Sequence, residues 1–422
     1  MNILRRVTLR NYKSFLKETG GADVVCAPIT LFYGHNHAGK SALLRGVGLF
    51  VDSAFGGRAH ASGLLNFDFP AIQGSNIEDL MSRGLGLPIE LEIEIAVPDN
   101  PENLQLKWSI RRMNDNSRLI VELFEAELGT ENLHIEYAPD HGGNDAYEVR
   151  LGDATTFTAD SELFTHLLPE LGGMQNCDFW RECFANLHTP ANQWLSPARV
   201  PLRRTFALRT TTPKIEANGD GCEQVIAREA SQLTQSPLLN RISSWMARHL
   251  RMELSVRPNG TMKELVCHSV GDPLVWVNLV DAGQGIQELL PVLTLLCQEY
   301  SSPSLLLIEE PESHLHPNLH AGLGELLVQH VIGHDGSMVM VETHSENLLL
   351  SLQLQIAEGK LPPESVVVYW VRWSPEGFSQ INKISFDTLG MPHGAWPPGV
   401  FSEDVMQARR LLKIQKEKAL VS

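Results

Sequence analysis

One eight-residue segment restricts the possible folds of this chain more than any other. Residues 34–41 read Gly-His-Asn-His-Ala-Gly-Lys-Ser, after an apolar run at 29–32 and before a helix-like stretch at 42–51. This is the spacing G-x-x-x-x-G-K-S of a phosphate-binding loop, which is expected between a strand and a helix. A chance match would lack these flanks. The segment, called the phosphate loop below, therefore predicts an α/β domain that binds a nucleotide.

The residue types of the phosphate loop indicate its chemistry. Glycines 34 and 39 are expected to let consecutive backbone N–H groups turn toward the phosphates, which a Cβ would obstruct. Lys40 adds a positive charge and Ser41 a hydroxyl for Mg²⁺, while the helix that begins at Lys40 directs its positive end at the same phosphates. The predicted nucleotide-binding residues are Gly34, Asn36, Gly39, Lys40, Ser41 and Ala42.

Composition excludes several classes of protein. A formal charge of −16 argues against a surface that coats nucleic acid, which needs clustered Lys and Arg. The apolar runs are shorter than the roughly 20 residues of a membrane span, and the N-terminus lacks the apolar core of a signal peptide. The six cysteines are scattered, with no C-x-x-C pair. We expect a cytoplasmic protein with reduced thiols, no membrane segment and only local contact with nucleic acid.

Strand patterns follow the phosphate-loop helix. Residues 89–95 alternate apolar and acidic side chains with period two, which predicts a half-exposed antiparallel sheet. The acids would share its solvent face and are interpreted as a solvated edge, not a metal site; they are Glu90, Glu92 and Glu94. Residues 127–190 have little periodicity and are interpreted as an insertion.

Three isolated residues are weaker candidates. Tyr12 and Phe15 close the first predicted strand, where an aromatic ring could lie against a nucleotide base or could instead pack at the edge of a β-lobe. Gln73 lies in an irregular connection and is a candidate for a glutamine near the metal.

The densest basic cluster in this acidic chain follows Trp194. It consists of Arg199, Arg203, Arg204 and Arg209, beside prolines that restrict the backbone. Two interpretations are open. The arginines would contact phosphate, either of the nucleotide or of nucleic acid, or they would form internal ion pairs with the many carboxylates.

A second candidate anion site lies at residues 281–288, Asp-Ala-Gly-Gln-Gly-Ile-Gln-Glu, between a strand pattern at 275–280 and a helix pattern. The bare amides of Gly283, Gln284 and Gly285 would open that helix. In a head-to-tail dimer this segment would close over the phosphate loop of the other copy, so that ATP becomes part of the interface. The alternative is a simple tight turn.

Two carboxylates, Glu309 and Glu310, follow the apolar strand at 304–308. Ligands bind at the carboxyl ends of strands in open parallel sheets. Because adjacent strand residues point in opposite directions, the two acids cannot do the same job. We expect Glu309 to hold Mg²⁺, directly or through water, and Glu310 to orient and deprotonate the attacking water.

Histidines also occur near these strands. His344 follows the buried strand predicted at 337–341, where it could hydrogen-bond to the γ-phosphate and report its presence, although a lone histidine is more often structural. A zinc site is the less favoured interpretation of the remaining three, because no Cys or His at matched spacing accompanies them; they are His314, His316 and His320.

The motifs together carry a family resemblance. G-x-N-x-x-G-K-S at 34–41, D-x-G-x-G at 281–285, E-E-P-E-x-H-L-H-P at 309–317 and T-H-S at 343–345 resemble AAA-family ATPases of ABC type. These include RecF and SMC heads and the ATPase domain of the overcoming-lysogenization-defect nucleases. The tail at 394–404 is similar to the closing W-P-x-G-F-F-D-E segment of a prokaryotic subgroup with an uncharacterised C-terminal domain.

The resemblance implies a role for each motif. Lys40 and Ser41 would be Walker A residues, Glu309 the Walker B acid and Glu310 the catalytic base. The remaining roles would be the signature motif at Gly283–Gly285, the dimer-contacting D-loop at His314 and Leu315, and the H-loop histidine, His344. The catalytic set is thus Lys40, Glu310 and His344, with ATP and Mg²⁺ as cofactors.

The resemblance also implies a biological setting. Such stand-alone heads form homodimers around two ATP molecules, and ATP state gates a separate nuclease or toxin in anti-phage defence or genome maintenance. The alternatives are a DNA-binding repair ATPase of RecF-like type and a nucleotide-gated scaffold with negligible hydrolysis.

The expected fold is an ABC-type α/β head with a mixed central sheet, an antiparallel β-lobe and a helical insertion. We divide the chain into an N-terminal ATPase lobe (1–126), an insertion and helical/β subdomain (127–270), a C-terminal ATPase lobe (271–360) and a C-terminal extension (361–422).

Overall fold

The protein was analysed as a computed structural model. It describes residues 3–394 except 57–62, 73, 83–85, 99, 114–117, 140–145, 153–154, 188–190, 210, 212–213, 234 and 302. The candidate Gln73 and most of the tail motif at 394–404 lie outside the described residues.

Eight α-helices occur in this part of the chain. They are α1 (Lys40–Phe55), α2 (Ile77–Leu80), α3 (Asp178–Ala185), α4 (Cys222–Gln232), α5 (Pro237–Leu250), α6 (Gln284–Cys297), α7 (Pro317–Gly333) and α8 (Glu346–Ala357). None of the described helices is long and apolar enough to cross a membrane.

The strands form three sheets, the largest of which is antiparallel throughout, in the order β2-β1-β4-β5-β6-β7-β8-β9. Its strands are β1 (Ile3–Arg10), β2 (Ala22–Val25), β4 (Ile89–Ala96), β5 (Asn103–Arg112), β6 (Leu119–Leu128), β7 (Glu131–Tyr137), β8 (Ala146–Leu151) and β9 (Thr155–Asp160). A small antiparallel sheet contains β11 (Met252–Asn259), β12 (Met262–Ser269) and β13 (Asp272–Asn278).

The central sheet is mixed, in the order β10-β14-β15-β3-β16-β17-β18. Its strands are β3 (Ile29–Gly34), β10 (Ala191–Leu195), β14 (Ser304–Glu309), β15 (Met338–Glu342), β16 (Val366–Trp373), β17 (Ser379–Phe386) and β18 (Pro392–His393). The first five strands in this order run parallel, β17 pairs antiparallel with β16, and β18 pairs antiparallel with β17. The phosphate loop therefore leaves the sheet from β3, between β15 and β16.

Two hydrophobic cores cover the two faces of the central sheet, which is why its inner strands β3, β14, β15 and β16 are largely apolar. Leu305 and Leu307 of β14 pack into the core that contains α1 and the antiparallel sheet. Leu306 and Ile308 pack into the core formed with α4 to α8. The alternation places Glu309, two residues beyond Leu307, on the α1 face.

The structure corrects the interpretation of residues 127–190 as an insertion and the boundary drawn at 126/127. Strand β6 crosses that boundary, and β7 to β9 continue the same antiparallel sheet. These strands are short, and the period-two signal that β7 does carry is limited to two buried residues, Leu133 and Ile135.

The division at residue 361 is corrected as well. Strand β16 pairs in parallel with β3 over six residues and carries β17 on its other side, so residues 366–386 are part of the central sheet and not an extension. The expected fold class is nevertheless confirmed. The protein is an α/β protein with a mixed central sheet, an antiparallel β-lobe and helical segments that lie, along the chain, between β3 and the strands β14 to β18.

Candidate functional site

The phosphate loop joins β3 to α1. Gly34 has φ +145°, and a Cβ there would lie 2.0 Å from the carbonyl oxygen of Val371 on β16. Glycine at 34 is therefore required by the neighbouring strand, and not only by room for phosphates as the sequence suggested. Gly39 has φ +106° and is the residue before the first turn of α1, where a side chain would be strained.

Lys40 is buried beneath the loop, with 4% of its surface exposed. Its Nζ donates hydrogen bonds to the carbonyl oxygens of Gly34 and His35, both at 3.0 Å. It also lies 3.9 Å from Oε1 of Glu342. Burial lowers the pKa of Lys40, and the charges of Glu342 and Glu310 oppose that shift. The ammonium group thus lies beneath the loop, against its backbone carbonyls.

Two carboxylates face α1 from the ends of neighbouring parallel strands, since Glu309 of β14 is paired in register with Glu342 of β15. The first is engaged with cationic and aromatic donors. Oε1 of Glu309 accepts from Nε of Arg45 at 2.6 Å and from Nε1 of Trp194 at 2.8 Å, and Oε2 accepts from Nη2 of Arg45 at 2.6 Å. Glu309 is 2% exposed.

The second carboxylate meets the phosphate loop itself. Ser41 Oγ donates to Oε1 of Glu342 at 2.9 Å. Oε2 of Glu342 is buried without a hydrogen-bond partner among the described residues. Burial, together with the charges of Glu309 and Glu310, raises the pKa of Glu342 to about 7, against the effect of the Ser41 hydrogen bond and Lys40.

Glu310 has an unusual backbone, with φ +45° directly after β14. Such a conformation is costly for a residue with a Cβ and is concentrated at functional sites. The peptide is held by its N–H, which donates to the carbonyl oxygen of Glu342 at 2.8 Å. Ser313 Oγ donates to Oε2 of Glu310 at 2.8 Å, which orients the carboxylate.

His344 completes this edge of the sheet. Its backbone N–H donates to Oε1 of Glu312 at 2.7 Å, and that oxygen also accepts from Thr343 Oγ1 at 2.7 Å. Burial and the charge of Lys40 lower the pKa of the His344 imidazole, so the ring is neutral at neutral pH. Ligand atoms of Glu310, Glu342 and His344 all lie within 4.8 Å of one another.

Other predicted histidine and aromatic sites have structural roles. His316 caps α7, and His320 contacts Ser345 Oγ at 2.7 Å and the Leu315 carbonyl at 3.3 Å. Among the described residues these histidines belong to no metal-binding group. Tyr12 and Phe15 are fully buried, so the packing interpretation holds for both.

In the structure the arginines of the cluster contact carboxylates and backbone carbonyls. Arg203 contacts Asp220 at 2.8 Å, Arg204 contacts Asp281 at 2.8 Å, and Arg209 lies 3.9 Å from Asp220. Arg199 is half-buried and donates to the carbonyl oxygens of Glu309 at 2.9 Å and Glu310 at 3.1 Å, as well as to that of Glu288. Arg199 thus supports the backbone that carries the two acids.

The segment Gly283–Gly285 begins α6 as expected. Gly283 precedes the first turn with φ +105°, and both it and Gln284 are exposed. A Cβ on Gly285 would lie 2.6 Å from the carbonyl oxygen of His314. The turn therefore packs against the loop after β14, the segment expected to contact a second copy.

Sequence reasoning missed four residues of this site: Arg45, Trp194, Glu312 and Glu342. Two of them had a local signal. Arg45 lies four residues after Ser41, on the same face of α1. Glu342 ends a buried strand next to β14, as Glu309 does. Glu312 lies within the motif at 309–317, but only the turn after β14 brings it to Thr343 and His344. Trp194 had no signal, because only the pairing of β10 with β14 brings it close.

The chain matches one known protein family. A family model described as "AAA domain, putative AbiEii toxin, Type IV TA system" matches residues 29–351. No curated protein matches the chain.

Solved structures also align with it. An SMC head bound to the C-terminal winged-helix domain of ScpA is 12% identical, with 91% of this chain and 98% of that chain covered and a TM-score of 0.47. The SMC head of Thermotoga maritima is 12% identical, with 90% and 98% covered and a TM-score of 0.39. An SMC head with an extended coiled coil, bound to the C-terminal domain of ScpA derived from Pyrococcus furiosus, is 11% identical, with 99% and 100% covered and a TM-score of 0.44.

Proposed function

Because the chain belongs to the AAA-domain family whose description names an AbiEii toxin of a type IV toxin–antitoxin system, we propose that it binds ATP and hydrolyses it at the phosphate loop. The observation that carries this proposal is the position of Lys40. A buried lysine whose ammonium group rests on the loop carbonyls of Gly34 and His35 exchanges those contacts for phosphate oxygens when a nucleotide enters.

The first turn of α1 contributes to the same binding. Its amide N–H groups have no partner within the helix, and the helix dipole places roughly half a positive charge at this end. Lys40 and these amides together select a polyphosphate. Gly34, Asn36, Gly39, Ser41 and Ala42 are the proposed companions of Lys40 in the nucleotide site.

The donor atoms beside the loop fit Mg²⁺, which prefers oxygen ligands. Ser41 offers its hydroxyl, Glu310 and Glu342 offer carboxylate oxygens, and one buried oxygen of Glu342 has no other partner among the described residues. Glu309 is the acid assigned to the metal by the sequence. When bound, the ion would neutralise charge on the β- and γ-phosphates.

We assign general-base catalysis to Glu310. Its carboxylate is half-buried at the carboxyl edge of the sheet, and Ser313 fixes one of its oxygens. The positive φ of Glu310 turns its side chain away from that of Glu309, so the two carboxylates have different hydrogen-bond partners. His344, neutral and beside Glu310, is the proposed hydrogen-bond partner of the γ-phosphate.

The assembly we propose is a homodimer that encloses two ATP molecules. Gly283, Gln284 and Gly285 of each copy would close over the phosphate loop of the other. Support comes from the surface beside this turn: Leu274 is 87% exposed and Val275 is 62% exposed on β13. Exposed apolar side chains of this kind are typical of interaction surfaces.

The wider role we propose is a switch, in which ATP state gates a separate nuclease or toxin in anti-phage defence or genome maintenance. The family description supports a toxin-linked setting. If this is right, affinity purification of the protein from its native cells recovers one nuclease or toxin-like chain in only one nucleotide state. Recovery of the same proteins with and without ATP would contradict gating.

Nucleotide binding is tested with Lys40→Ala. We expect the affinity for ATP, measured by calorimetry, to fall at least about 100-fold, since a lost charge-assisted contact of this kind weakens binding by ~3 kcal/mol. Lys383→Ala, on β17, is a control with the same change of charge. Unchanged ATP affinity in Lys40→Ala would refute the site.

A further inference from the structure

We propose that Glu342, at the end of β15, supplies the carboxylate that meets the metal ion of the nucleotide, and that Glu309 instead anchors α1 through Arg45. The inference rests on the proposed function, because it concerns the ion that accompanies ATP. It differs from the assignment made from the sequence, in which the acid of β14 holds the metal.

Glu342 has one carboxylate oxygen without a hydrogen-bond partner among the described residues. Only 4% of this residue is exposed, and the oxygen in question is Oε2. Buried polar atoms in native proteins nearly always have a partner, and an orphan calls for a missing ion or water. The other oxygen, Oε1, already accepts from Ser41 Oγ.

The group that donates to Glu342, the Ser41 hydroxyl, belongs to the phosphate loop. In loops of this spacing the hydroxyl after the lysine binds Mg²⁺. A carboxylate that is hydrogen-bonded to the Ser41 hydroxyl is therefore adjacent to the ion, either as a ligand or as the acceptor that orients a ligand. The nearby carboxylate of Glu310 adds oxygen atoms, which Mg²⁺ prefers to nitrogen.

Both carboxylate oxygens of Glu309 already accept hydrogen bonds. Arg45 binds it through Nε and Nη2, and the indole of Trp194 donates to the same carboxylate. The guanidinium of Arg45 also lies 5.4 Å from the ring centre of Trp194. Moving Glu309 to a metal would break a bidentate pair in a site where Glu309 is almost fully buried.

The register of the sheet and of α1 explains why the two acids differ. Glu309 and Glu342 are paired side by side on parallel strands and face the same helix. Ser41 and Arg45 are one helical turn apart on α1. Each acid therefore meets the helix residue opposite it: Glu342 meets the hydroxyl, and Glu309 meets the guanidinium.

The experiment uses Mn²⁺ as a paramagnetic probe with the full chain and ADP. Free and bound Mn²⁺ are separated by electron paramagnetic resonance in wild type, Glu342→Gln and Glu309→Gln. We expect Glu342→Gln to weaken Mn²⁺ binding about 10- to 100-fold, as the loss of a ligand or its immediate support does. Glu309→Gln should bind Mn²⁺ about as wild type does and instead lose thermal stability.

Nucleotide affinity in EDTA separates this inference from the proposed function. If wild type and both variants bind ADP alike without metal, the nucleotide site is intact and the Mn²⁺ data judge the assignment alone. Normal Mn²⁺ binding in Glu342→Gln, or its loss in Glu309→Gln only, would overturn the assignment while the nucleotide site stands. Failure of wild type to bind any nucleotide would refute the proposed function itself.

Discussion

Glutamates cluster in two regions of this protein, on β4 of the antiparallel sheet and at the ends of β14 and β15 of the central sheet. On β4 every second residue is acidic, and basic side chains of the N-terminal segment pair with them. Lys17 contacts Glu90 at 2.6 Å, and Arg6 lies 3.4 Å from Glu94. These acids remain partly exposed, so water shares in their solvation.

At the strand ends the same residue type is buried and crowded. Glu309 has a full cationic partner in Arg45, but Glu342 has one oxygen without any partner among the described residues. Water and neighbouring side chains are enough to solvate acids on a half-exposed strand. Acids that are buried at the carboxyl ends of strands need a bound ion, a proton or another ligand to compensate their charge. This difference in burial and pairing points to the ends of β14 and β15, and not to the acidic residues of β4, as the place where a reaction is catalysed.

The largest effect is expected from Glu310→Gln. Loss of a positioned general base lowers turnover about 10²- to 10⁴-fold, while ATP binding through Lys40 is retained and the dimer accumulates. Phosphate release and light scattering with ATP measure the two effects. Glu92→Gln on β4 is the matched control and should hydrolyse ATP as wild type does. Normal turnover in Glu310→Gln would remove the distinction between the two acidic regions.

His330 of α7 is buried beside the first residue of β14, at the opposite end of that strand from the proposed catalytic residues. Its Nδ1 and Nε2 contact the Leu296 carbonyl and Ser304 Oγ, and His334, Glu299 and Tyr300 lie beside it. Burial lowers the pKa of His330 to about 4.

A histidine whose folded-state pKa is depressed contributes stability above its unfolded pKa and loses it as pH falls through the folded value. Because of His330, we therefore expect the free energy of unfolding to fall by roughly 3 kcal/mol as the pH is lowered from about 6.5 to about 4. Urea unfolding at several pH values measures it, and His330→Gln should remove that part of the pH dependence. An equally steep decline in the variant would assign the effect elsewhere.

A smaller effect on stability is expected from Glu309→Gln. The amide keeps part of the hydrogen bonding but leaves the Arg45 charge without its counterion, which should cost about 2 kcal/mol of unfolding free energy. Chemical denaturation is the measurement. A loss no larger than that of Glu94→Gln would show that the Arg45 pair does not anchor α1.

The smallest effect belongs to β4. Glu92→Gln removes a partly exposed ion pair with Arg10, and surface pairs contribute about 0–1 kcal/mol. We expect a change in unfolding free energy below about 0.5 kcal/mol that diminishes further at high salt. A loss as large as that of Glu309→Gln would mean that the acidic row is also structurally critical.

Local patterns allowed much of this fold to be predicted. The phosphate loop with its flanking elements, the apolar strands β14 and β15, and the helix α6 all follow from local sequence patterns within a few residues. The acids Glu309 and Glu310 were located for the same reason, since a buried strand ends visibly in sequence.

The remaining features depend on pairing between distant segments. The position of β16 beside β3 joins residues more than 300 positions apart in the chain, and no local pattern encodes that. Whether Arg204 meets phosphate or Asp281 depends likewise on how two loops pack. The contact between Ser41 and Glu342 requires the register of β15 against β14, which the sequence does not reveal.

The central claim is that ATP binds where the phosphate loop meets the ends of β14 and β15. Hydrogen exchange of the protein with and without Mg²⁺ and ATP, followed by mass spectrometry, tests this most directly. We predict slower amide exchange at residues 34–48, 309–316 and 342–346, and no change over 89–112. Protection confined to the antiparallel sheet, or no protection anywhere, would contradict the account.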